Sequence, residues 1–356
     1  MRYHVLGKSG LRVSEICLGT MTFGAGEAWG CTESDAREVF AAYADAGGNF
    51  VDTANMYADG ESERMIGRLV AGNRDRYVIS SKYGNAVPGG GDPNAGGSHR
   101  KNLMRSLDES LKRLGIDYLD LYMVHFWDYT TPVEEVMRAL DDAVRAGKIL
   151  HAGLSDVPAW VVSRAQTIHE LRGTAPVTCM QLEYSLVERS IEREHLPLAS
   201  SLDIGVTAWS PVAGGILSGK YTRGQVSEGG KRLDSMQLQE LSERNRQIAL
   251  KLDRIADGMG VSSSQLALAW VLAKGVIPIV GARHRLQVEQ NLKATELKLD
   301  RATVESLDAA AAYDLGHPYK MHYWDMSMLL GYGGLFDRLH LPRYPLPQAG
   351  RWSAPR

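Results

Sequence analysis

Cysteine is scarce, with three in 356 residues. Cys17, Cys31 and Cys179 stand far apart, without the paired spacing of a zinc site or a disulfide framework, so a reducing, cytoplasmic setting is expected. Long apolar runs are missing too: none reaches the roughly 18 residues of a membrane span. Met1 to Ser14 carries Lys8 and Arg12 among its few apolar residues, which leaves no core for a signal peptide. Charge of one sign is not in excess, because 40 Lys and Arg face 42 Asp and Glu for a formal net charge of −2. Such a surface has no global pull toward nucleic acid or anionic lipid, and a small neutral partner is expected for a soluble, unanchored chain.

Two nucleotide signatures are absent as well. Gly24, Gly26 and Gly30 do not fit the G-x-G-x-x-G fingerprint of a dinucleotide fold. Gly214-Gly215-Ile216-Leu217-Ser218-Gly219-Lys220-Tyr221 follows a P-loop until Tyr221 takes the place of the hydroxyl that would hold magnesium. His317, His322 and His340 have no second ligand at helical or hairpin spacing, so no metal is expected. A metal-dependent barrel hydrolase would need several His and carboxylate ligands at strand ends, and only Asp52 and His125 qualify.

What is present is an ordinary globular composition, 44% hydrophobic and 23% charged. Short β-branched runs alternate with stretches of helical period, the pattern of a parallel α/β fold. Eight runs read as strands: Ile16 to Gly19, Asn49 to Asp52, Tyr77 to Lys82, Tyr118 to His125, Ile149 to Ser155, Thr178 to Gln181, Gly205 to Trp209 and Val276 to Val280. Eight βα units predict a (β/α)8, or TIM, barrel over residues 16–314 within one domain. Helix punctuation agrees. Thr131-Pro132-Val133-Glu134 reads as a capping box with proline first and Gly147 at the end, Ser262 with Gln265 opens a helix ending near Gly275, and the Leu103, Leu107, Leu111, Leu114 stripe stops at Gly115. Before the barrel, Tyr3 to Gly7 and Leu11 to Glu15 predict a hairpin across its floor. Tyr83 to Gly97, Val212 to Met236 and the tail 315–356 exceed ordinary loop lengths and are candidate lids. The tail aromatics Tyr319, Tyr323, Trp324, Tyr332 and Phe336 suit either a pocket wall or a subunit contact, so monomer and homo-oligomer both stay open.

In such a barrel the chemistry lies at the C-terminal strand ends. Three successive strands end in ionisable groups, Asp52, Lys82 and His125, and Tyr57 follows Asp52 by one short loop. An ammonium beside a phenol favours phenolate, which predicts a lowered Tyr57 pKa. A carboxylate keeps the lysine charged, and the histidine can orient a substrate oxygen. Later strands close with Ser155-Asp156, Gln181 and Trp209-Ser210-Pro211, a set of hydrogen-bonding and flat aromatic groups that suits a nicotinamide.

Gly19-Thr20-Met21-Thr22-Phe23-Gly24, Asp52-Thr53-Ala54-Asn55-Met56-Tyr57, Ser81-Lys82-Tyr83 and Val124-His125 resemble the catalytic segments of the aldo-keto reductase family, in its order and over nearly the whole chain. The resemblance implies Tyr57 as general acid, Lys82 as its activator, Asp52 as the lysine's partner and His125 as the group orienting a carbonyl. It assigns Gly19, Thr20 and Met21 to the cofactor rim, Ser155, Asp156 and Gln181 to the carboxamide, and Trp209 to stacking. Ser210, Pro211, Val212, Gly214 and Gly215 with Lys220 would cradle the pyrophosphate. Gly281, Arg283, Gln287, Gln290 and Asn291 resemble the adenosine-phosphate segment, where Arg283 and nearby Arg285 can pair with a 2′-phosphate. NADP(H) is therefore expected ahead of NAD(H). Two positions depart from the pattern: Asp156 stands where the family often has asparagine, and Gln290 where it usually has glutamate. Trp29, Phe126 and Trp127 suggest a substrate site for an aromatic or bulky apolar aldehyde or ketone. The expected activity is reversible hydride transfer, and the alternative is a nucleotide-sensing subunit of the potassium-channel β-subunit type.

Overall fold

The computed structural model describes residues 1–26, 30–86, 91–224, 241–322, 325–335 and 338. Trp29, Tyr323, Trp324, Phe336, His340 and parts of the two long loops lie outside the described residues. The chain opens with β1 (Tyr3–Val5) and β2 (Arg12–Ser14), an antiparallel pair. Eight strands follow: β3 (Cys17–Gly19), β4 (Phe50–Asp52), β5 (Val78–Tyr83), β6 (Leu119–Val124), β7 (Ile149–Ser155), β8 (Val177–Glu183), β9 (Gly205–Trp209) and β10 (Ile277–Gly281). Each pairs in parallel with its sequence neighbour, and β10 returns to β3, closing the barrel. The expected strands all form, with ends displaced by a residue or two.

A strand turns successive side chains to opposite faces, so in a closed barrel every second residue points inward. In β5, Val78 belongs to the inner cluster and Lys82 reaches Asp52, while Ile79 and Tyr83 pack in the outer cluster against the helices. The same period places Phe50 inward and Val51 outward, Leu121 and Met123 inward and Tyr122 and Val124 outward, Cys179 inward and Met180 and Leu182 outward. The barrel is thus apolar at its floor and polar at its rim. The N-terminal hairpin plugs the floor as expected: Leu6 and Val13 pack with Phe50, Val78, Leu121 and Ile277. Its turn runs so close to the strand starts that a Cβ on Gly7 would lie 2.4 Å from the Thr178 carbonyl oxygen, and φ there is +51°.

Helices wrap the outside. The Leu103, Leu107, Leu111 and Leu114 stripe is buried, and its helix, Arg100–Leu114, ends at Gly115 in the left-handed conformation. Ser262 and Gln265 form the expected capping box at the start of Ser263–Ala273. The box expected at Thr131 does not form. Pro132 takes the N-cap position of Val133–Arg145 and has no side-chain acceptor, while the Thr131 hydroxyl donates to Asp128 Oδ2 at 2.7 Å. Asp128 also accepts from the backbone N–H groups of Ser98, Thr130 and Thr131, so this carboxylate gathers the turn ahead of the helix. Where the tail begins, Arg193 donates to the Asp314 carbonyl and Tyr319 donates to Glu194 Oε1 at 2.7 Å. Among the described residues no helix is long and apolar enough to cross a membrane.

Candidate active site

The inward period and the strand ends together bring Asp52, Lys82 and His125 to one side of the rim. Lys82 is fully buried and Asp52 is 3% exposed. Lys82 Nζ donates to Asp52 Oδ2 at 2.6 Å, to the Thr53 carbonyl at 2.9 Å and to the Tyr57 hydroxyl at 3.3 Å. The other carboxylate oxygen, Oδ1, accepts from Gln181 Nε2 at 2.9 Å and from Ser80 Oγ at 3.2 Å. Both carboxylate oxygens thus accept hydrogen bonds, the condition under which a buried ion pair survives its desolvation. Burial alone would lower the Lys82 pKa, but Asp52 and Tyr57 hold it above its ordinary value.

Tyr57 begins a short turn, Tyr57–Gly60, in which Ala58 and Asp59 adopt positive φ of 49° and 52°. Non-glycine residues pay for that conformation, and such strain collects at functional sites. The turn aims the phenol back over the rim, with Lys82 Nζ 4.9 Å from its ring centre. Here the electrostatic expectation is corrected. Burial raises the Tyr57 pKa, Asp52 adds to the rise, and the Lys82 ammonium only partly offsets them, so the phenol holds its proton more tightly than in water. His125 follows β6, edge-on to Tyr57 with ring centres 5.8 Å apart. Burial and the Lys82 charge push its pKa down to about 3, so the imidazole is neutral at ordinary pH.

Around the opposite rim, Ser155 Oγ is buried without a hydrogen-bond partner, an arrangement that costs about 1–3 kcal/mol unless a ligand supplies one. Next to it Asp156 adopts φ +46° and accepts a hydrogen bond from Trp209 Nε1 at 3.0 Å, fixing the indole across the rim. The Asp156 side chain reaches solvent but stands in a crowded cleft, and desolvation raises its carboxyl to about 6. Gln181, expected at a carboxamide, already spends its NH2 on Asp52, which leaves its carbonyl for a ligand.

Gly19 pairs with Gly281, and with no side chain on either, the rim is bare between β3 and β10. Thr20 is buried, its backbone and hydroxyl both donating to the Asp52 carbonyl, with Met21 beside it half-buried. After β9, Ser210 (φ +53°) accepts from the Gly214 N–H, Pro211 is buried, and the Val212 carbonyl accepts from the Gly215 N–H. A Cβ on Gly215 would lie 2.6 Å from Lys220 Nζ, so the ammonium folds directly over this loop. Beyond β10, the Arg283 N–H donates to Gln287 Oε1 at 3.0 Å. Arg285 is tied to Glu289, whereas among the described residues no carboxylate lies within ion-pair distance of Arg283. Gln290 accepts from Gln265 through its backbone carbonyl, and Asn291 is half-buried in the same helix, Arg285–Leu292. The residues present therefore fit an elongated nucleotide, with, among the described residues, a hydroxyl lacking a partner at one end and a cation lacking a carboxylate at the other.

Of the three aromatic residues expected at the substrate mouth, Phe126 stands 43% exposed on the rim, together with Met56 at 48%. Trp127 is less exposed, at 6%, and packs in the outer cluster. Trp29 lies outside the described residues. Among the described residues no group of His, Cys, Asp and Glu could hold a metal ion. Ser80 and Asn85 were not singled out from the sequence. Ser80 could have been, since it lies two residues before Lys82 on the same inward face; Asn85, which meets His125 Nδ1 at 3.1 Å, had no periodic signal.

Comparison with known proteins places these segments in one family context. The family model described as Aldo/keto reductase family matches residues 15–312. The chain is 35% identical to a norsolorinic acid reductase of Aspergillus flavus over 333 residues, covering 89% of this chain and 83% of that protein. It is 34% identical to an aryl-alcohol dehydrogenase of Pestalotiopsis microspora over 348 residues (94% and 86%), and 36% identical to an uncharacterized oxidoreductase of Bacillus subtilis over 323 residues (86% and 95%).

The buried pair makes a direct test of the site's architecture. Lys82→Met leaves Asp52 without its ammonium in a dry interior and is expected to lower unfolding stability by roughly 3–5 kcal/mol in urea titration. A loss below 1 kcal/mol would mean that the pair is solvated rather than buried.

Proposed function

The chain belongs to the aldo/keto reductase family and is an oxidoreductase, and from that premise we propose that it reduces an aldehyde or ketone to an alcohol through Tyr57, Lys82, Asp52 and His125. The family's chemistry is carbonyl reduction with a nicotinamide cofactor, which when bound supplies the hydride. The observation that carries the reading is the unbroken run from Asp52 Oδ2 to Lys82 Nζ to the Tyr57 hydroxyl, at 2.6 and 3.3 Å.

A phenol whose proton is held tightly is an acid in waiting, and it releases that proton only to a stronger base. A carbonyl oxygen becomes such a base as it gains alkoxide character, and Tyr57 protonates it. Lys82, kept charged by Asp52, stabilises the phenolate left behind. His125, neutral, donates a hydrogen bond to the same oxygen and fixes its distance from Tyr57. In the reverse direction the Tyr57 phenolate takes the alcohol proton, so oxidation is favoured by rising pH and reduction is not.

Ser155, Asp156 and Gln181 would hold the carboxamide: the Ser155 hydroxyl and Gln181 carbonyl are available, and Asp156 retains Oδ2 as an acceptor for the amide NH2. Trp209, held by Asp156, offers the stacking face. Gly19, Thr20, Met21, the 210–215 loop with Lys220, and Gly281, Arg283, Gln287, Gln290 and Asn291 would hold the remainder. Arg283, with no carboxylate beside it among the described residues, favours NADP(H) through its 2′-phosphate over NAD(H). An aromatic carbonyl compound is the substrate class we favour. Exposed Phe126 and Met56 support it, as does the similarity to proteins named norsolorinic acid reductase and aryl-alcohol dehydrogenase. We read residues 16–314 as the catalytic barrel of a single domain, acting in the cytoplasm.

Two measurements follow. Tyr57→Phe is expected to lower kcat for aromatic aldehyde reduction by about a hundredfold to ten-thousandfold while leaving NADPH affinity within a few-fold, as stopped-flow turnover and fluorescence titration would report. Turnover equal to the unmodified protein would remove Tyr57 from the acid role. Arg283→Ala is expected to weaken NADPH binding about ten- to a hundredfold and NADH binding little; equal losses for both would exclude a 2′-phosphate contact.

A further inference from the structure

A neutral imidazole carries one N–H, and which nitrogen holds it decides whether His125 can donate to a carbonyl oxygen at all. His125 Nδ1 lies 3.1 Å from Asn85 Nδ2. The amide's NH2 end, not its carbonyl, is the end turned to the ring. An NH2 facing Nδ1 requires Nδ1 to be the acceptor. The proton then sits on Nε2.

The backbone is built to deliver Asn85 there. Gly84 adopts φ +126°, a conformation L side chains rarely take, although a Cβ would have no neighbour nearer than the His125 nitrogen at 3.9 Å. Conformation rather than space therefore calls for glycine at this turn. The Gly84 carbonyl accepts from the Gly97 N–H at 2.7 Å, and the Tyr83 carbonyl accepts from the His125 N–H at 2.8 Å. Residues 83–85 are stitched to His125 by backbone and side chain at once. The charged and titratable neighbours of the imidazole are Lys82, which disfavours a second proton on it, and Tyr57, edge-on to it.

We propose that Asn85 is a positioning residue that confines the His125 proton to Nε2, making the imidazole a one-way donor to the substrate carbonyl. The donor role rests on the reductase reading above; the tautomer does not, and the two are tested separately. The experiment is a two-dimensional 15N–1H spectrum of the full chain labelled at histidine, with His125 assigned through a His125→Asn variant, recorded for the unmodified protein, Asn85→Ala and Asn85→Asp. Kinetics and nucleotide binding are measured on the same samples.

The expected spectrum of the unmodified protein has an unprotonated Nδ1 and a protonated Nε2. Asn85→Asp places an acceptor at Nδ1, and is expected to move the proton to Nδ1 and to raise the pH at which the ring titrates. Asn85→Ala is expected to give a tautomer mixture. Losses of kcat should follow the same order, about three- to tenfold for Asn85→Ala and more for Asn85→Asp, with NADPH dissociation constants within about twofold, since one neutral hydrogen bond is at stake. A purely structural role would lower melting temperature or nucleotide affinity without moving the ring nitrogens. An Nδ1-protonated ring in the unmodified protein, or nitrogen shifts that ignore both substitutions, would overturn the tautomer assignment. Shifts that move while kcat does not would overturn the donor role. Absence of turnover by the unmodified protein with any carbonyl compound would strike the reductase reading, and with it the donor role, while the spectrum alone would still decide the tautomer.

Discussion

A fully buried lysine ammonium resting 2.6 Å from a buried carboxylate is the constraint around which the rest of this molecule is arranged. Two charges taken out of water cost several kcal/mol each, and their attraction offsets that only when the remaining hydrogen-bonding capacity is also met. The barrel meets it from four directions: Ser80 from β5, Gln181 from β8, the Thr53 carbonyl and the Tyr57 hydroxyl from the β4 turn. Those partners come from three strands that are distant in sequence and held in register by parallel pairing, so the site cannot exist before the barrel closes. A well-packed apolar pair would serve stability as well. The ionic pair makes sense as a device that acts on the one neighbour with a movable proton.

Burial, rather than any one charge, sets the protonation states at the rim. It raises Tyr57 despite the lysine beside it, drives His125 down to about 3, and lifts Asp156 to about 6. Tyr57 and His125 are thereby kept neutral, and Lys82 is held charged by Asp52. A held cation beside a neutral phenol and a neutral imidazole is the arrangement that stabilises a developing oxyanion. Ser155, whose hydroxyl has no partner across the rim, marks where a ligand's polar edge would complete the network.

The architecture was largely legible because strand and helix periods are local properties. The run ending in Lys82 alternates inward and outward whether or not its neighbours are known, and the same alternation carried Asp52, Gln181 and Trp209 to the rim. What escaped is competitive or long-range. Thr131 had the residue pattern of a capping box, but Pro132 took the N-cap position. How deeply Trp127 packs in the outer cluster was likewise invisible to a local pattern. The Tyr57 phenol was expected to be lowered because the lysine was visible in the sequence and the depth of burial was not. Asn85 is a turn asparagine by sequence, and only the juxtaposition of two loops gives it His125 as a partner.

The most direct test of the account is transfer of label. With NADPH carrying deuterium at both C4 positions of the nicotinamide ring and an aromatic aldehyde as substrate, the account requires the alcohol product to carry deuterium on its carbinol carbon, and requires the rate of that transfer to fall about a hundredfold or more in the Tyr57→Phe variant. Tight nucleotide binding with no labelled alcohol across a panel of aldehydes and ketones would contradict the reductase assignment and favour a barrel that senses its nucleotide without turning it over.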